Sequence, residues 1–185
     1  MSDAYYDSIA ACYNELHGEE QLRKLRLIHE YLSKNKLILP TDTLLDVGCG
    51  TGLSASIFKN RIQGVEPSKA MAHQAPFPVT ICAAEQLPFP NNAFDVVLCI
   101  TAVHNMVVPE QAIKEMQRVS RKLIIISVLK KSINAKRLFQ LILGSATCIA
   151  TFDDVHDKIF ILAVVHTVHA TNSCDHACKR KSARH

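Results

Sequence analysis

Apolar residues recur at three- and four-residue steps through 4–33, with Ile9, Tyr13 and Leu16 followed by Leu22, Leu25, Ile28 and Leu32. This spacing predicts helix, and Gly18 is expected to divide it into two pieces. Pro40 closes that layer. From Thr43 onward the pattern changes to short apolar runs alternating with short helical stretches. Strands are predicted over 43–47, 61–65, 78–83, 93–100 and 122–129, and helices over 54–60, 68–74, 109–120 and 135–143. Segments 148–153 and 157–165 read as a closing β-pair. Strands that alternate with helices imply an α/β fold, a mostly parallel seven-stranded sheet with helices on both faces. Past Val165 the periodicity is lost and the chain turns polar and basic, so 166–185 is expected to be a disordered tail.

At 185 residues and 48% hydrophobic content, one globular domain over 1–165 is expected, with 1–40 as a helical cap. The longest apolar stretches end at Lys or His well short of the roughly 20 residues a membrane helix needs. The first residues carry acids and tyrosines where an export signal needs a basic start and an apolar run. Seven cysteines, an odd number, suit a reducing compartment, and the expectation is a soluble cytoplasmic protein. The net charge of +4 is unevenly spread, with Arg118, Arg121, Lys122, Lys130, Lys131, Lys136 and Arg137 crowded into 118–137. Such a run is usually a solvated face, and it also suits an RNA backbone. His166, His169, Cys174, His176 and Cys178 have the ligand chemistry of a zinc site but lack turn glycines and a nearby core, and no metal is expected.

The chemistry concentrates at 44–52, LLDVGCGTG, where a buried strand enters a turn with Gly48, Gly50 and Gly52 at alternate positions. Such a backbone turns sharply and lets a ligand lie against it. The dinucleotide fingerprint places its third glycine three residues after the second, and here the interval is two. Nor does a Lys follow the glycines, as a phosphate-cradling loop requires. With Asp46 just before the turn, the loop suits a ligand with a cationic end better than a pyrophosphate. Twenty residues after Asp46, the second strand ends in GVEPS, where Glu66, followed by Pro67, is placed to accept hydrogen bonds from both hydroxyls of a ribose.

These segments, with AAEQLPFPNNAFDVVLC and AIKEMQRVS, resemble the successive motifs of class I S-adenosylmethionine-dependent methyltransferases, in particular the small type 11 branch. The resemblance covers roughly 5–165 and implies a Rossmann-like three-layer sandwich. It implies that Gly48, Cys49 and Gly50 pack against the methionine part of S-adenosylmethionine and that Glu66 holds the ribose. It further implies that Ala84 and Glu85 flank the adenine, and that Ile100 and Thr101 close the pocket after the fourth strand. The opening YYDSIAACYNELH is similar to the element that folds over the cofactor in this family, so Tyr6 and Tyr13 are candidates for covering it. Ala83 departs from the family pattern, which commonly has Asp there, and adenine recognition would rest on backbone groups and Glu85.

The implied reaction moves a methyl group from S-adenosylmethionine to an acceptor and releases S-adenosylhomocysteine. No sizeable insertion follows the fifth strand, so the acceptor is not legible; a small molecule, a tRNA base and a protein side chain all remain open. If the acceptor starts protonated, His104 in TAVHNM is the candidate base. A catalytically silent subunit that keeps the fold to support a partner is the alternative reading. A nicotinamide oxidoreductase is disfavoured by the glycine spacing.

Overall fold

The computed structural model describes residues 3–164. The tail 166–185, with its histidines and cysteines, lies outside the described residues. The strands are β1 (Thr43–Val47), β2 (Arg61–Val65), β3 (Val79–Thr80), β4 (Phe94–Cys99), β5 (Ser120–Leu129), β6 (Thr147–Asp153) and β7 (Asp157–Ala163). They form one sheet in the order β3-β2-β1-β4-β5-β7-β6. The first five are parallel, and β7 runs antiparallel between β5 and β6. This is the Rossmann-like, mostly parallel seven-stranded arrangement that the apolar runs predict.

A strand covered on both faces has to be apolar at successive positions, and β4 is buried along its whole length. Side-chain parity sorts the core into two layers. Leu45, Val97, Ile124 and Ile126 meet Ile113, Met116, Leu138 and Ile142 from α4 (Pro109–Val119) and α5 (Ala135–Ser145). Their neighbours Leu44, Val96, Leu98 and Ile125 meet Phe58 and the Leu25, Ile28, Leu32 stripe of α2 (Tyr13–Lys34) on the other face. Ile28 is fully buried there, so truncation to Ala would cost about 2–5 kcal/mol. No helix among the described residues is long and apolar enough to cross a membrane.

Three local expectations are corrected. The N-terminal helical layer breaks at 10–12, between α1 (Asp3–Ile9) and α2, rather than at Gly18. Ala10 is buried and its carbonyl accepts from Gln74 Nε2 at 2.8 Å, while the Cys12 N–H closes a turn onto the Ile9 carbonyl at 3.0 Å. Gly18 instead sits buried inside α2, whose 22 residues absorb glycine's propensity cost of about 1 kcal/mol. The helix expected over 54–60 is only a 3-10 turn, Leu53–Ser56, because Phe58 must reach the core before β2 begins. The strand expected over 78–83 pairs only at Val79–Thr80, where the edge of the sheet ends and Ile81 is already exposed.

Candidate functional site

The carboxyl end of β1 folds back onto the end of β2, with the Gly48 and Cys49 N–H groups donating to the Val65 carbonyl at 2.8 and 3.1 Å. Gly48 holds φ +72°, and a Cβ there would lie 2.6 Å from the Ala102 Cβ. Glycine is therefore required for conformation and for space alike. Glu66, at the end of β2, accepts from the Gly50 N–H through Oε2 and from the Ser68 N–H through Oε1, each at 3.0 Å. Its carboxylate is thus oriented by backbone on two sides. Asp46 lies below the loop, buried, and its Oδ2 accepts from Ser54 Oγ at 2.5 Å. Burial pushes its carboxyl up to about 6, against the Ser54 bond and with a further push from Glu66.

Side-chain hydrogen bonds tie the N-terminal helices over this edge. Ser68 Oγ donates to Asp7 Oδ1 at 2.5 Å, Thr51 Oγ1 to Asn14 Oδ1 at 2.6 Å, and Asn105 Nδ2 to the Tyr6 hydroxyl at 2.8 Å. The Tyr6 and Tyr13 rings stand edge to face with centroids 6.5 Å apart. Burial raises both phenols; the Glu66 charge adds to Tyr6, and Tyr6 and then Glu66 add to Tyr13. Both phenols are neutral hydrogen-bonding groups at physiological pH.

Between these parts lies a cavity of about 190 Å³. Of the residues expected at the site, Tyr6, Tyr13, Gly48, Gly50, Glu66, Pro67, Ala84, Glu85, Ile100 and Thr101 line it. Asp46, Cys49 and Gly52 do not line it and act from beneath. Gly52, at φ +78°, leaves room for Ala75 and Pro76, and burial drives the Cys49 thiol far up. His104 is not among the lining residues either. Its Nδ1 is buried without a hydrogen-bond partner among the described residues, and burial lowers its pKa. Glu85 Oε1 accepts from the Val107 and Val108 N–H groups at 2.9 and 3.1 Å, so its carboxylate staples the loop after β4.

Sequence reasoning missed Val65, Met71, Ala102, Asn105, Met106 and Val107 in the lining. Four of these, Ala102, Asn105, Met106 and Val107, lie within six positions after Thr101, so position after the fourth strand was the available signal. It also missed the contact of Lys24 with Thr101 Oγ1, 2.6 Å away across 77 positions, for which no local signal exists.

Glu66 and Glu85 are the charged residues of the lining, and no Lys, Arg or His is among them. Lys24, near its wall, pairs with Asp157 at 2.8 Å. Such a cavity favours a cationic ligand over an anionic one. A larger depression of about 660 Å³ opens at the opposite edge of the sheet, beside Asn91, Lys114, Gln117 and Arg118, with no acid and no left-handed glycine turn. The basic segment 118–137 is largely neutralised internally: Arg118 pairs with Glu115, Arg121 with Asp95, Lys122 with Asp42, Lys130 with Asp153 and Arg137 with Glu110.

Comparison with known proteins places this geometry among relatives. Residues 45–126 match the methyltransferase domain family, type 11. Human methyltransferase-like protein 27 is 33% identical over 124 residues, 60% of this chain and 51% of that protein. The ubiquinone/menaquinone biosynthesis C-methyltransferase UbiE of Nitrosospira multiformis is 28% identical over 131 residues, 63% of this chain and 54% of that protein. The chain thus spans about half the length of the curated relatives it matches. Among solved structures, the magnesium protoporphyrin IX methyltransferase of Synechocystis PCC 6803 with bound SAM aligns at TM-score 0.65 and 14% identity, over 78% of this chain and 79% of that one. A SAM-dependent methyltransferase from Thermotoga maritima, a possible histamine N-methyltransferase, aligns at TM-score 0.62 and 21% identity, over 85% of this chain and 98% of that one.

Proposed function

We propose, from the premise that residues 45–126 belong to the class I S-adenosylmethionine-dependent methyltransferase family, type 11 branch, that the protein transfers a methyl group from S-adenosylmethionine to a small acceptor. The observation that carries the reading is the cavity's charge: a left-handed glycine turn and two lining acids with no lining cation suit a sulfonium nucleoside. When bound, that cofactor supplies an electrophilic methyl group on a positively charged sulfur. The rest is the work of this chain. The Glu66 carboxylate, aimed by the Gly50 and Ser68 N–H groups, accepts the sugar hydroxyls. Gly48 and Gly50 present bare backbone to the amino-acid end. Tyr6 and Tyr13 cover the mouth and exclude water, which strengthens the attraction of the acids for the cation. The protein aligns the acceptor's lone pair with the methyl carbon and needs no covalent intermediate.

For the acceptor, the loops at the carboxyl edge of the sheet expose Val107, Ile133 and Val155 at 92%, 99% and 65%, while the basic segment pairs most of its charges with acids of the same chain. Together these favour a small, largely apolar acceptor over an RNA backbone. The described cysteines are all free, which supports a reducing, cytoplasmic setting. A silent cofactor-binding subunit is the second reading, favoured by the commitment of Glu85 to the loop and by Ala83 in place of an acid.

The test is incubation with methyl-labelled S-adenosylmethionine and a cell extract fractionated into small molecules, RNA and protein. Label in a small organic-extractable product supports the proposal, whereas label in the RNA fraction refutes the acceptor assignment. Tight binding of S-adenosylhomocysteine with no transfer to any fraction favours the silent subunit.

A further inference from the structure

Thr101 follows β4 and stands in the left-handed region, at φ +56°. A β-branched residue seldom adopts that conformation, because its side chain crowds the backbone, so the surroundings must hold it there. Its N–H donates to Ser127 Oγ at 2.8 Å. Its hydroxyl donates to Asp157 Oδ2 at 2.7 Å and accepts from Lys24 Nζ at 2.6 Å. Lys24 Nζ also donates to Asp157 Oδ2 at 2.8 Å and to Glu20 Oε1 at 2.9 Å, and Ser127 Oγ reaches the same Asp157 oxygen at 2.9 Å. Three donors therefore converge on one carboxylate oxygen, while Asp157 Oδ1 has no hydrogen-bond partner among the described residues.

The Lys24 and Asp157 side chains are 0% exposed. A buried ion pair contributes little net stability, because the loss of hydration offsets the attraction, and apolar residues of similar size often do as well. What apolar residues would not supply is the grip on Thr101. That grip bears on the cavity, because Thr101 lines it together with Ile100 and Ala102, and Ala102 is the residue that closes on Gly48.

We propose that Lys24 and Asp157 are positioning residues for the cofactor cavity: the buried pair holds Thr101 in its left-handed turn and so fixes the wall that faces the glycine loop. For methyl transfer this rests on the reading of the cavity as the S-adenosylmethionine site, but the structural part does not. Two variants of the full chain test it, Lys24→Met/Asp157→Leu and the same pair with Thr101→Gly added, since glycine takes a positive φ without support. The readouts are calorimetric affinity for S-adenosylhomocysteine and amide hydrogen exchange over 100–106 without ligand.

The paired variant is expected to fold with near-normal stability, to bind about tenfold more weakly, and to exchange faster at Thr101 and the amides after it. Adding Thr101→Gly is expected to recover part of the lost affinity and none of the lost protection, since glycine takes a positive φ without strain but is not fixed there. Unchanged affinity and protection in the paired variant overturn the proposal, as does an affinity that the added glycine leaves no better than in the paired variant. Should the parent protein itself not bind S-adenosylhomocysteine, the functional reading falls, and the exchange measurement alone decides the positioning role.

Discussion

Replacing Gly48 with Ala tests the glycine loop at its tightest point. The added Cβ would sit 2.6 Å from the Ala102 Cβ, well inside the 3.4 Å at which ordinary contact begins. Both atoms are attached directly to backbone, so neither can rotate away, and relief requires the loop or the turn after β4 to move. Holding Ala at φ +72° costs about 1–2 kcal/mol and the overpacking about 1–3 kcal/mol, together about 2–5 kcal/mol. For a domain of this size that corresponds to a fall in Tm of about 10 °C. Thermal unfolding by circular dichroism, with and without S-adenosylhomocysteine, reads both the loss and the ligand's ability to restore it. The wall that moves is the cavity wall, so ligand stabilisation should shrink along with Tm. Gly144→Ala is the matched control: among the described residues nothing lies within 4 Å of a Cβ added at Gly144 in α5, and the change should stabilise by about 0.5–1 kcal/mol. A Gly48→Ala protein with parental Tm and parental ligand response would refute the steric argument.

Lys24→Ala alone should destabilise by about 3–5 kcal/mol in urea unfolding, because it leaves the Asp157 carboxylate buried without its cation. The Asp46 carboxyl, raised from 3.8 to about 6 by burial, is costly to ionise in the native state. Its unfavourable contribution of about 2–3 kcal/mol is fully present above about pH 6 and is relieved as pH falls toward 4. Asp46→Asn should therefore be more stable than the parent at pH 7 and close to it at pH 4. Asp95 has the opposite sign: burial would raise it, but bonds from the Thr43 N–H, Arg121 and the Thr43 hydroxyl outweigh that and hold it at about 2. Its stabilising contribution should be present above about pH 4 and lost as pH falls through 2, a loss that Asp95→Asn should abolish in acid titration.

The sheet was legible because a strand covered on both faces is apolar at successive positions, and the runs 96–99 and 123–126 can be little else. The glycine loop and Glu66 were legible because their chemistry is local, one strand and one turn apart. Gly18 misled because propensity is a weak local term: the helix runs through it, and the break goes where Ala10 docks onto Gln74. The ion pairs of 118–137 were not legible, since acids far away in sequence, such as Asp42 for Lys122, meet its cations only in the folded chain. Glu85 was expected beside a ligand and lines the cavity, but its carboxylate bonds to Val107 and Val108, a pairing no motif encodes. Lys24 and Asp157 lay beyond reach altogether, 133 positions apart and brought together by the strand order.

The most direct test of the account is calorimetric titration of the parent chain and of Glu66→Gln with S-adenosylhomocysteine. The parent should bind at micromolar strength and the variant at least about tenfold more weakly, as expected for weakened charge-assisted bonds to a sugar. Absence of binding by the parent, or equal affinity in the two proteins, would contradict it.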